Sequence, residues 1–216
     1  MNILITGANG QLGNEMRILS ARHAQHTYFF TDVEELDITS REAVNRFVKD
    51  NAIDIIVNCA AYTNVDKAES DEVLAHKINA LAVENLGISG ARVIHVSTDY
   101  VFSGDACVPY EETDKVAPRT AYGRTKLAGE ELLQVVCPEA IIIRTAWLYS
   151  TFGNNFVKTM LRLGQEREAL GVVFDQIGSP TYAADLAMAI FAAIESPEWH
   201  AGVYHFTNEG VCSWYD

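Results

Sequence analysis

A tyrosine and a lysine four positions apart are the residues of this chain best suited to chemistry. Tyr122 and Lys126 lie in the segment Tyr-Gly-Arg-Thr-Lys, within a pattern that predicts a helix from Thr120 to about Val136. At positions i and i+4 their side chains share one helix face, about one turn apart. A neighbouring ammonium favours the phenolate, so Lys126 is expected to lower the pKa of Tyr122 from about 10 towards the range useful to a proton donor. Taken alone, such a pair is more often an ordinary exposed Tyr/Lys pair.

A hydroxyl at the end of a predicted strand strengthens the chemical interpretation. The apolar run 92–97 is typical of a buried strand, and Thr98 closes it. In a parallel sheet the site lies outside the carboxyl ends of the strands. The Thr98 hydroxyl is therefore expected beside the phenol of Tyr122, where both can hydrogen-bond one carbonyl oxygen.

Three glycines near the start of the chain indicate a nucleotide-binding loop. Gly7, Gly10 and Gly13 follow the apolar run 2–5 and precede a helical pattern. The first glycine permits a tight turn, the second leaves room for a pyrophosphate, and the third lets the helix pack on the strand. The helix N-terminus then offers N–H groups and a partial positive charge to the phosphates. A surface turn also produces such glycines, but their place after a strand favours dinucleotide binding.

Asp32 is the candidate ligand of the adenosine ribose. It ends the predicted strand 27–31 and lies 19 residues after Gly13, close to the spacing of about 20 at which a carboxylate takes the ribose hydroxyls. A plain loop aspartate is the alternative. The nearest arginines in sequence are Arg22 and Arg41, so no cation beside Asp32 would neutralise a 2′-phosphate. NADH is therefore expected to serve at least as well as NADPH.

Alternating strand and helix patterns predict the architecture that positions these residues. The predicted strands are 2–5, 27–31, 53–58, 92–97, 140–144, 171–174 and 202–206, and the predicted helices are 11–22, from 40 onwards, 66 or 70 to 86, 120–136, 155–168 and 183–195. This βαβ repeat indicates an α/β fold with a Rossmann-like, doubly wound parallel sheet. We expect a dinucleotide-binding domain at 1–146. Residues 147–216 are expected to form a smaller, incomplete substrate-binding lobe interleaved with the last sheet elements, in which Ser213 has the character of a helix N-cap.

Composition narrows the class of protein. The 216 residues are 49% hydrophobic, enough for one substantial core, and the formal net charge is −13. That charge argues against a nucleic-acid partner, and no apolar run approaches the roughly 20 residues of a membrane span. Four scattered cysteines without metal-ligand spacing are expected to be reduced, and no metal site is predicted. These features predict a cytoplasmic enzyme or binding module.

Seven segments together resemble the dTDP-4-dehydrorhamnose reductases of the extended short-chain dehydrogenase/reductase superfamily. The segments are 6–13 (Thr-Gly-Ala-Asn-Gly-Gln-Leu-Gly), 58–63 (Asn-Cys-Ala-Ala-Tyr-Thr), 65–69 (Val-Asp-Lys-Ala-Glu), 97–102 (Ser-Thr-Asp-Tyr-Val-Phe), 122–130 (Tyr-Gly-Arg-Thr-Lys-Leu-Ala-Gly-Glu), 144–147 (Arg-Thr-Ala-Trp) and 154–156 (Asn-Asn-Phe). They span essentially the whole chain. The resemblance implies reduction of the 4-keto group of a dTDP-6-deoxy-hexulose to dTDP-L-rhamnose, with hydride from NADPH or NADH.

The resemblance also implies a role for individual residues. The catalytic set would be Thr98, Tyr122 and Lys126. The cofactor would be bound by Gly7, Asn9, Gly10, Gln11, Leu12, Gly13, Asp32, Asp37, Ile38, Ala60, Ala61, Tyr62, Asn79, Ser97, Tyr122 and Lys126. The nucleotide-sugar would contact Thr63, Val65, Thr98, Asp99, Tyr100, Phe102, Trp147 and Asn155. A Mg²⁺ ion and a homodimer are options that rest on the resemblance alone.

Departures from the family pattern and rival functions remain open at this stage. Only 18 residues separate Asn79 from Ser97, about one helical turn fewer than the family usually has. Sugar-nucleotide dehydratases carry a glutamate where this chain has Tyr100, which argues against dehydration. Another 4-reductase or an epimerase is a rival, as is a non-catalytic NADP-binding subunit similar to the regulatory subunit of methionine adenosyltransferase. Intact Thr98, Tyr122 and Lys126 favour an enzyme.

Overall fold

Alternating strands and helices build one parallel sheet that is covered on both faces. The computed structural model describes residues 1–216. The strands are β1 (Asn2–Thr6), β2 (Thr27–Thr31), β3 (Ile55–Asn58), β4 (Arg92–Thr98), β5 (Ile141–Thr145), β6 (Leu148–Tyr149), β7 (Ile177–Gly178), β8 (Thr181–Tyr182), β9 (Gly202–His205) and β10 (Cys212–Ser213). The helices are α1 (Gln11–Ser20), α2 (Arg41–Asp50), α3 (Val65–Ala68), α4 (Glu72–His76), α5 (Ala82–Ile88), α6 (Ala121–Val136), α7 (Phe156–Glu166) and α8 (Ala183–Ile194). A π-helical turn (Lys77–Leu81) joins α4 to α5, and a 3₁₀ turn (Asp99–Val101) follows β4.

The strand order of the main sheet creates a crevice beside β1. Six parallel strands lie in the order β2-β1-β3-β4-β5-β9. The chain runs from β1 outwards to β2 and then returns to the opposite side of β1 as β3. Ligands of doubly wound sheets bind where the order reverses in this way. The Rossmann-like fold predicted from the sequence is confirmed.

Neighbouring residues of β1 supply two separate cores. Ile3 and Leu4 are both fully buried, and they point to opposite faces of the sheet because successive strand residues alternate. Leu4 belongs to the core beneath α2, α5 and α6. Ile3 belongs to the core beneath α1 and α8. Burial on both faces explains the continuous apolar run that began the sequence pattern.

The C-terminal part of the chain is shared between the main sheet and a smaller rim. β9 pairs with β5 as the last strand of the main sheet, and α8 packs on one face of that sheet. β6 pairs with β8, and β7 pairs with β10, outside the main sheet. Helix α7 has no fully buried residue. The main sheet therefore takes elements from both parts of the sequence, and the substrate-binding lobe expected at 147–216 stays a prediction.

One sequence-based prediction about local structure is incomplete and another is wrong. The helix expected from 66 or 70 to 86 is present as a continuous helical run from Glu72 to Ile88, but it contains the π-helical turn, at which Gly129 of α6 approaches closely. A Cβ on Gly129 would lie only 2.0 Å from the carbonyl oxygen of Asn79, so this contact shapes the turn. The strand expected at 171–174 does not form; Val173 and Phe174 are exposed, and no neighbouring strand pairs with them.

The N-caps predicted at Ser40 and Ser213 agree with the structure. Ser40 caps α2 by accepting the Ala43 N–H at 3.3 Å, as expected. The hydroxyl of Ser213 accepts the N–H of Asp216 at 3.2 Å, and the Asp216 carboxylate accepts the N–H of Ser213 at 2.8 Å. This reciprocal pair has the hydrogen bonds of a capping box, which agrees with the N-cap character predicted for Ser213.

Candidate active site

One cavity of about 790 Å³ lies at the carboxyl ends of β1, β3, β4 and β5. Most of the residues predicted for the site line it: Gly7, Gly10, Gln11, Leu12, Asp32, Asp37, Ile38, Ala60, Ala61, Thr63, Val65, Ser97, Thr98, Asp99, Tyr100, Tyr122, Lys126 and Trp147. The glycine loop and the Tyr/Lys pair therefore face the same space, although more than 100 residues separate them in sequence.

The glycine loop has the geometry that a dinucleotide requires. Gly7 has a φ of +64°, and a Cβ there would lie 2.6 Å from the backbone nitrogen of Ala60. A Cβ on Gly13 would lie 2.5 Å from the carbonyl oxygen of Gly7, so the third glycine allows the close contact between α1 and the loop. Gly10 is the N-cap of α1, and no side chain caps this helix. The first N–H groups of α1 are thus available to phosphate oxygens, which fits a pyrophosphate.

Asp32 both supports the loop and faces the cavity. Its Oδ2 accepts the backbone N–H of Asn9 at 3.2 Å. Asp37, another carboxylate of the lining, has a pKa held below its usual value because the hydroxyl and N–H of Thr39 bond to it. Lys126 is the only lysine or arginine among the lining residues. The part of the cavity lined by Asp32 and Asp37 therefore carries negative charge, with no arginine among its lining residues.

Six predicted site residues lie beside the cavity instead of lining it: Asn9, Gly13, Tyr62, Asn79, Phe102 and Asn155. Asn79 is buried, and its amide bonds to the backbone N–H and carbonyl of Tyr62 at 2.8 and 3.1 Å. Asn79 thereby fixes the segment after β3. Phe102 is buried against the ring of Tyr110, with centroids 4.2 Å apart.

Asn155 supports the cavity wall from behind. Its amide donates to the side-chain oxygen of Gln11 at 2.8 Å, and its Oδ1 caps α7. Gln11 lines the cavity and in turn donates to the carbonyl of Leu148 at 3.3 Å. The contact of Asn155 with the site is therefore through Gln11.

Thr98 and Tyr122 meet as predicted, at the end of β4 and the start of α6. The Thr98 hydroxyl donates to Oδ1 of Asp99 at 3.0 Å and accepts the N–H of Tyr100 at 3.2 Å. Burial raises the pKa of Tyr122, and the nearby Thr98 hydroxyl offsets part of that rise. Thr120 caps α6 by accepting the Gly123 N–H at 3.0 Å, which fixes the helical turn that carries the phenol.

The expected effect of Lys126 on Tyr122 is wrong for this structure. Burial is the largest influence and raises the pKa of Tyr122, and the charge of Asp99 raises it further, so the pKa lies above that of a free tyrosine instead of below it. The amine of Lys126 instead contacts His95 Nε2 at 3.2 Å and the carbonyl of Val96 at 2.7 Å. The phenol therefore holds its proton at neutral pH.

Lys126 itself is an unusual lysine. It is 1% exposed, and burial lowers its pKa to about 8 against an opposing effect of Glu130. Burial also raises the pKa of Asp99 to about 6. Groups whose pKa values approach neutrality inside a cleft are typical of active sites.

Sequence reasoning missed a tryptophan pair on the cavity wall. Trp214 stacks on Trp147 with ring centroids 3.7 Å apart, and both line the cavity. Trp147 has a φ of +47°, and a Cβ on Gly178 would lie 2.7 Å from its ring. The other unpredicted lining residues are Thr6, Thr31, Val33, Leu36, Thr39, Cys59, Ile78, Val96, Thr145, Leu148, Gly153 and Asn154. Several neighbour predicted residues in sequence, but nothing local signals that Trp214 meets Trp147.

Comparison with known proteins agrees with this site. The family model described as "RmlD substrate binding domain" matches residues 1–216. The chain belongs to this family. The dTDP-4-dehydrorhamnose reductase of Escherichia coli K12, a family relative, is 46% identical over 100% of this chain and 75% of its own length.

Solved structures extend the family likeness to three dimensions. A dTDP-4-dehydrorhamnose reductase from Clostridium acetobutylicum has a TM-score of 0.95 and 47% identity, covering 100% of this chain and 77% of the other. The Bacillus anthracis dTDP-4-dehydrorhamnose reductase in complex with NADP has a TM-score of 0.94 and 44% identity, covering 99% and 77%.

Two further features bear on the class of protein. No helix combines the length and apolar character needed to span a membrane. No three His, Cys, Asp or Glu side chains come together in a way that could hold a metal ion. The Mg²⁺ option raised by the family resemblance therefore gains no ligand set from this chain.

Proposed function

We propose that this protein reduces the 4-keto group of a dTDP-6-deoxy-hexulose to give dTDP-L-rhamnose, with NADH or NADPH as the hydride donor. The supporting observation is that the uncapped N-terminus of α1 and the set Thr98, Tyr122 and Lys126 face one cavity. The first suits a pyrophosphate and the second suits a carbonyl under reduction. The names of the family relatives support the same substrate class.

Tyr122 is the proposed proton donor. A bound reduced nicotinamide supplies the hydride, which forms the new C–H bond at the 4-keto carbon. The carbonyl oxygen becomes an alkoxide and takes the phenol proton, because an alkoxide is a far stronger base than a phenolate. The raised pKa of Tyr122 keeps that proton in place until the alkoxide develops.

Thr98 and Lys126 complete the proposed catalytic set. Thr98 is bonded to Asp99 and Tyr100, so its hydroxyl is held at the cavity wall where the carbonyl oxygen would lie. Lys126 can hydrogen-bond the nicotinamide ribose, and when protonated it stabilises the phenolate that Tyr122 becomes.

The remaining lining residues divide between the two ligands. We assign Gly7, Gly10, Gln11, Leu12, Asp32, Asp37, Ile38, Ala60, Ala61 and Ser97 to the cofactor, and Thr63, Val65, Asp99, Tyr100 and Trp147 to the nucleotide-sugar. Asn9, Gly13, Tyr62, Asn79, Phe102 and Asn155 support these residues from positions beside the cavity. The division into domains at residue 146, a homodimer and a cytoplasmic location stay predictions.

A direct assay tests this function. The purified protein is mixed with reduced nicotinamide and a dTDP-4-keto-6-deoxyhexose, and nicotinamide consumption is followed by absorbance. We expect consumption that depends on the sugar nucleotide and product that comigrates with dTDP-L-rhamnose. Tight cofactor binding without consumption would contradict the proposal and favour the non-catalytic subunit. Consumption with other 4-keto sugars alone would favour a different 4-reductase.

A further inference from the structure

A chain of buried hydrogen bonds links Lys126 to β1. Nζ of Lys126 lies 3.2 Å from Nε2 of His95, and Nδ1 of His95 lies 2.9 Å from the amide nitrogen of Asn58. Oδ1 of Asn58 accepts the Thr6 hydroxyl at 2.7 Å. None of the four residues is more than 1% exposed, so water does not compete for these contacts. The function proposed above assigns no role to His95 or Asn58.

The orientation of the Asn58 amide is fixed by the backbone. Its Oδ1 lies 3.1 Å from the nitrogen of Ala60, and a backbone N–H can only donate. The oxygen must therefore face Ala60, which leaves the NH₂ group facing Nδ1 of His95. An amide NH₂ also only donates, so Nδ1 of His95 has to be an acceptor without a proton.

The orientation of Asn58 determines where His95 carries its proton. A neutral imidazole has one N–H, and with Nδ1 accepting, that N–H is on Nε2. A doubly protonated ring would place an N–H against the Asn58 amide. Burial and the nearby Lys126 also hold the pKa of His95 well below its usual value. The Nε2–H of His95 consequently points at the amine of Lys126.

Only one form of Lys126 satisfies this arrangement. A neutral amine has a lone pair that accepts the Nε2–H of His95, and two N–H groups of its own. One of these is donated to the carbonyl of Val96 at 2.7 Å. The other remains for the cavity that Lys126 lines. An ammonium has no lone pair and would meet the Nε2–H with an N–H.

We propose that His95, with its tautomer fixed by Asn58, is a positioning residue that favours the neutral, hydrogen-bond-accepting form of Lys126 over the ammonium and so sets the pH at which Lys126 loses its proton. The proposal rests on the assignment of Lys126 to the active site. It makes the protonation of Lys126 a controlled step, since only the ammonium stabilises the phenolate of Tyr122. Turnover then declines with rising pH as Lys126 loses its proton, and the hydrogen-bond chain sets the midpoint.

The other ionisable groups around Lys126 have opposing or weak effects on its protonation. Tyr122 and Glu130 share its helix, and the carboxylate of Glu130 favours the ammonium. Arg144 of β5 binds that carboxylate through two nitrogens, which offsets much of its influence. Asp99, directly after β4, raises the pKa of Tyr122 through its charge. His95 is the group in direct contact with the amine.

Nitrogen NMR of the full chain without nucleotide tests the proposal directly. Protein labelled with ¹⁵N in histidine and lysine is titrated with pH, and resonances are assigned with His95→Gln and Lys126→Arg. We expect a protonated Nε2 and an unprotonated Nδ1 for His95, and a Lys126 titration about 2 pH units below those of the other five lysines. A protonated Nδ1, or a Lys126 that titrates with the others, would overturn the proposal. This readout needs no turnover, so it stands apart from the test of the reductase function.

The variant Asn58→Asp reverses the chain. A carboxylate keeps the acceptor for Ala60 and Thr6 but replaces the amide donor with a second acceptor. The proton of His95 then moves to Nδ1, where it is donated to the carboxylate, and Nε2 becomes an acceptor facing an ammonium. We expect the His95 tautomer to switch, and the Lys126 titration and the alkaline limb of kcat to rise together by about 1 pH unit or more. Asn51→Asp adds the same charge away from the chain and should leave both unchanged. A rise in the Lys126 midpoint without a tautomer switch would assign the effect to charge alone and refute the role of His95.

Discussion

Helix α6 buries two ionisable side chains one turn apart, those of Lys126 and Glu130, and their surroundings differ. Glu130 is bound by Arg144, whose Nε and Nη2 lie 3.1 and 2.7 Å from its oxygens, and by the hydroxyl of Ser97. Lys126 meets no carboxylate within ion-pair distance and bonds only to His95 and a carbonyl. The two sites are almost equally buried, at 2% and 1% exposure. Their difference lies in whether the charge is paired.

This contrast separates a structural charge from a functional one. Glu130 does not line the cavity, and its complete pairing satisfies the demand that a buried charge makes on a fold. Lys126 lines the cavity, and pairing it with a carboxylate would fix it as an ammonium. Leaving it unpaired brings its pKa to about 8, within reach of a reaction at neutral pH.

Removing the phenol beside Lys126 should have the largest effect on turnover. Tyr122→Phe leaves the ring and its packing but removes the proton donor, so kcat should fall by about 10²–10⁴-fold while the Kd of NADH stays near that of the parent. Steady-state kinetics and calorimetric titration measure the two quantities. Tyr204→Phe, at a partly exposed tyrosine remote from the cavity, is the matched control. A kcat within a few-fold of the parent would exclude Tyr122 as the donor.

Breaking the paired site should instead affect stability. Arg144→Met leaves Glu130 buried without its partner, which should cost about 3–5 kcal/mol of unfolding free energy in urea denaturation. The double variant Glu130→Met/Arg144→Met removes both charges and should recover most of that loss. If the single variant lost less than about 1 kcal/mol, Glu130 would not depend on Arg144 as described.

Neutralising the unpaired site should change stability less. In Lys126→Met the cost of burying the amine disappears, worth about 3 kcal/mol near neutral pH from a pKa of about 8 against 10.5. The lost bond to the Val96 carbonyl costs about 1–3 kcal/mol in the other direction, so the net change should be within about 2 kcal/mol.

The same variant carries a pH signature with a definite sign. Between pH 8 and 10.5 the unfolded lysine holds a proton that the folded one has lost, so the parent gains stability relative to Lys126→Met as pH rises through this range. Urea denaturation at pH 7 and pH 10 measures the difference. A constant difference between the two proteins would mean that Lys126 titrates like an exposed lysine.

The smallest expected effect concerns cofactor choice at the acidic end of the cavity. Asp32→Asn keeps an acceptor for the N–H of Asn9 but removes the charge that would repel a 2′-phosphate. We expect the parent to use NADH at least as well as NADPH, and the variant to shift the ratio of kcat/KM values about tenfold towards NADPH, equivalent to about 1.4 kcal/mol. Paired assays with both cofactors give the ratio. An unchanged ratio would show that the carboxylate of Asp32 does not reach the ribose.

What the sequence predicted well was local in origin. The glycine loop, the Tyr122/Lys126 spacing and the Ser40 cap each depend on residues within one or two turns, and the parallel sheet follows from the alternation of such elements. The side chains that modify Lys126 come from other strands. His95 follows the apolar period of β4, and no pattern marks it as the partner of an amine 31 residues away.

The predictions that failed also depended on contacts between residues far apart in sequence. The π-helical turn at Lys77–Leu81 forms where Gly129 of another helix packs on it, and Trp214 reaches Trp147 across 67 residues. The raised pKa of Tyr122 comes from burial, which the i, i+4 spacing does not report. Helical propensity and residue spacing contain no information about these tertiary contacts.

Isotope transfer tests the central claim most directly. Reduced nicotinamide carrying deuterium at both C4 positions is incubated with the protein and a dTDP-4-keto-6-deoxyhexose, and the product sugar is analysed by NMR and mass spectrometry. The account predicts deuterium at C4 of the sugar in the parent, and transfer slowed about 10²–10⁴-fold in Tyr122→Phe. Product that carries no deuterium, or a parent that binds both ligands without transfer, would contradict hydride reduction at this site.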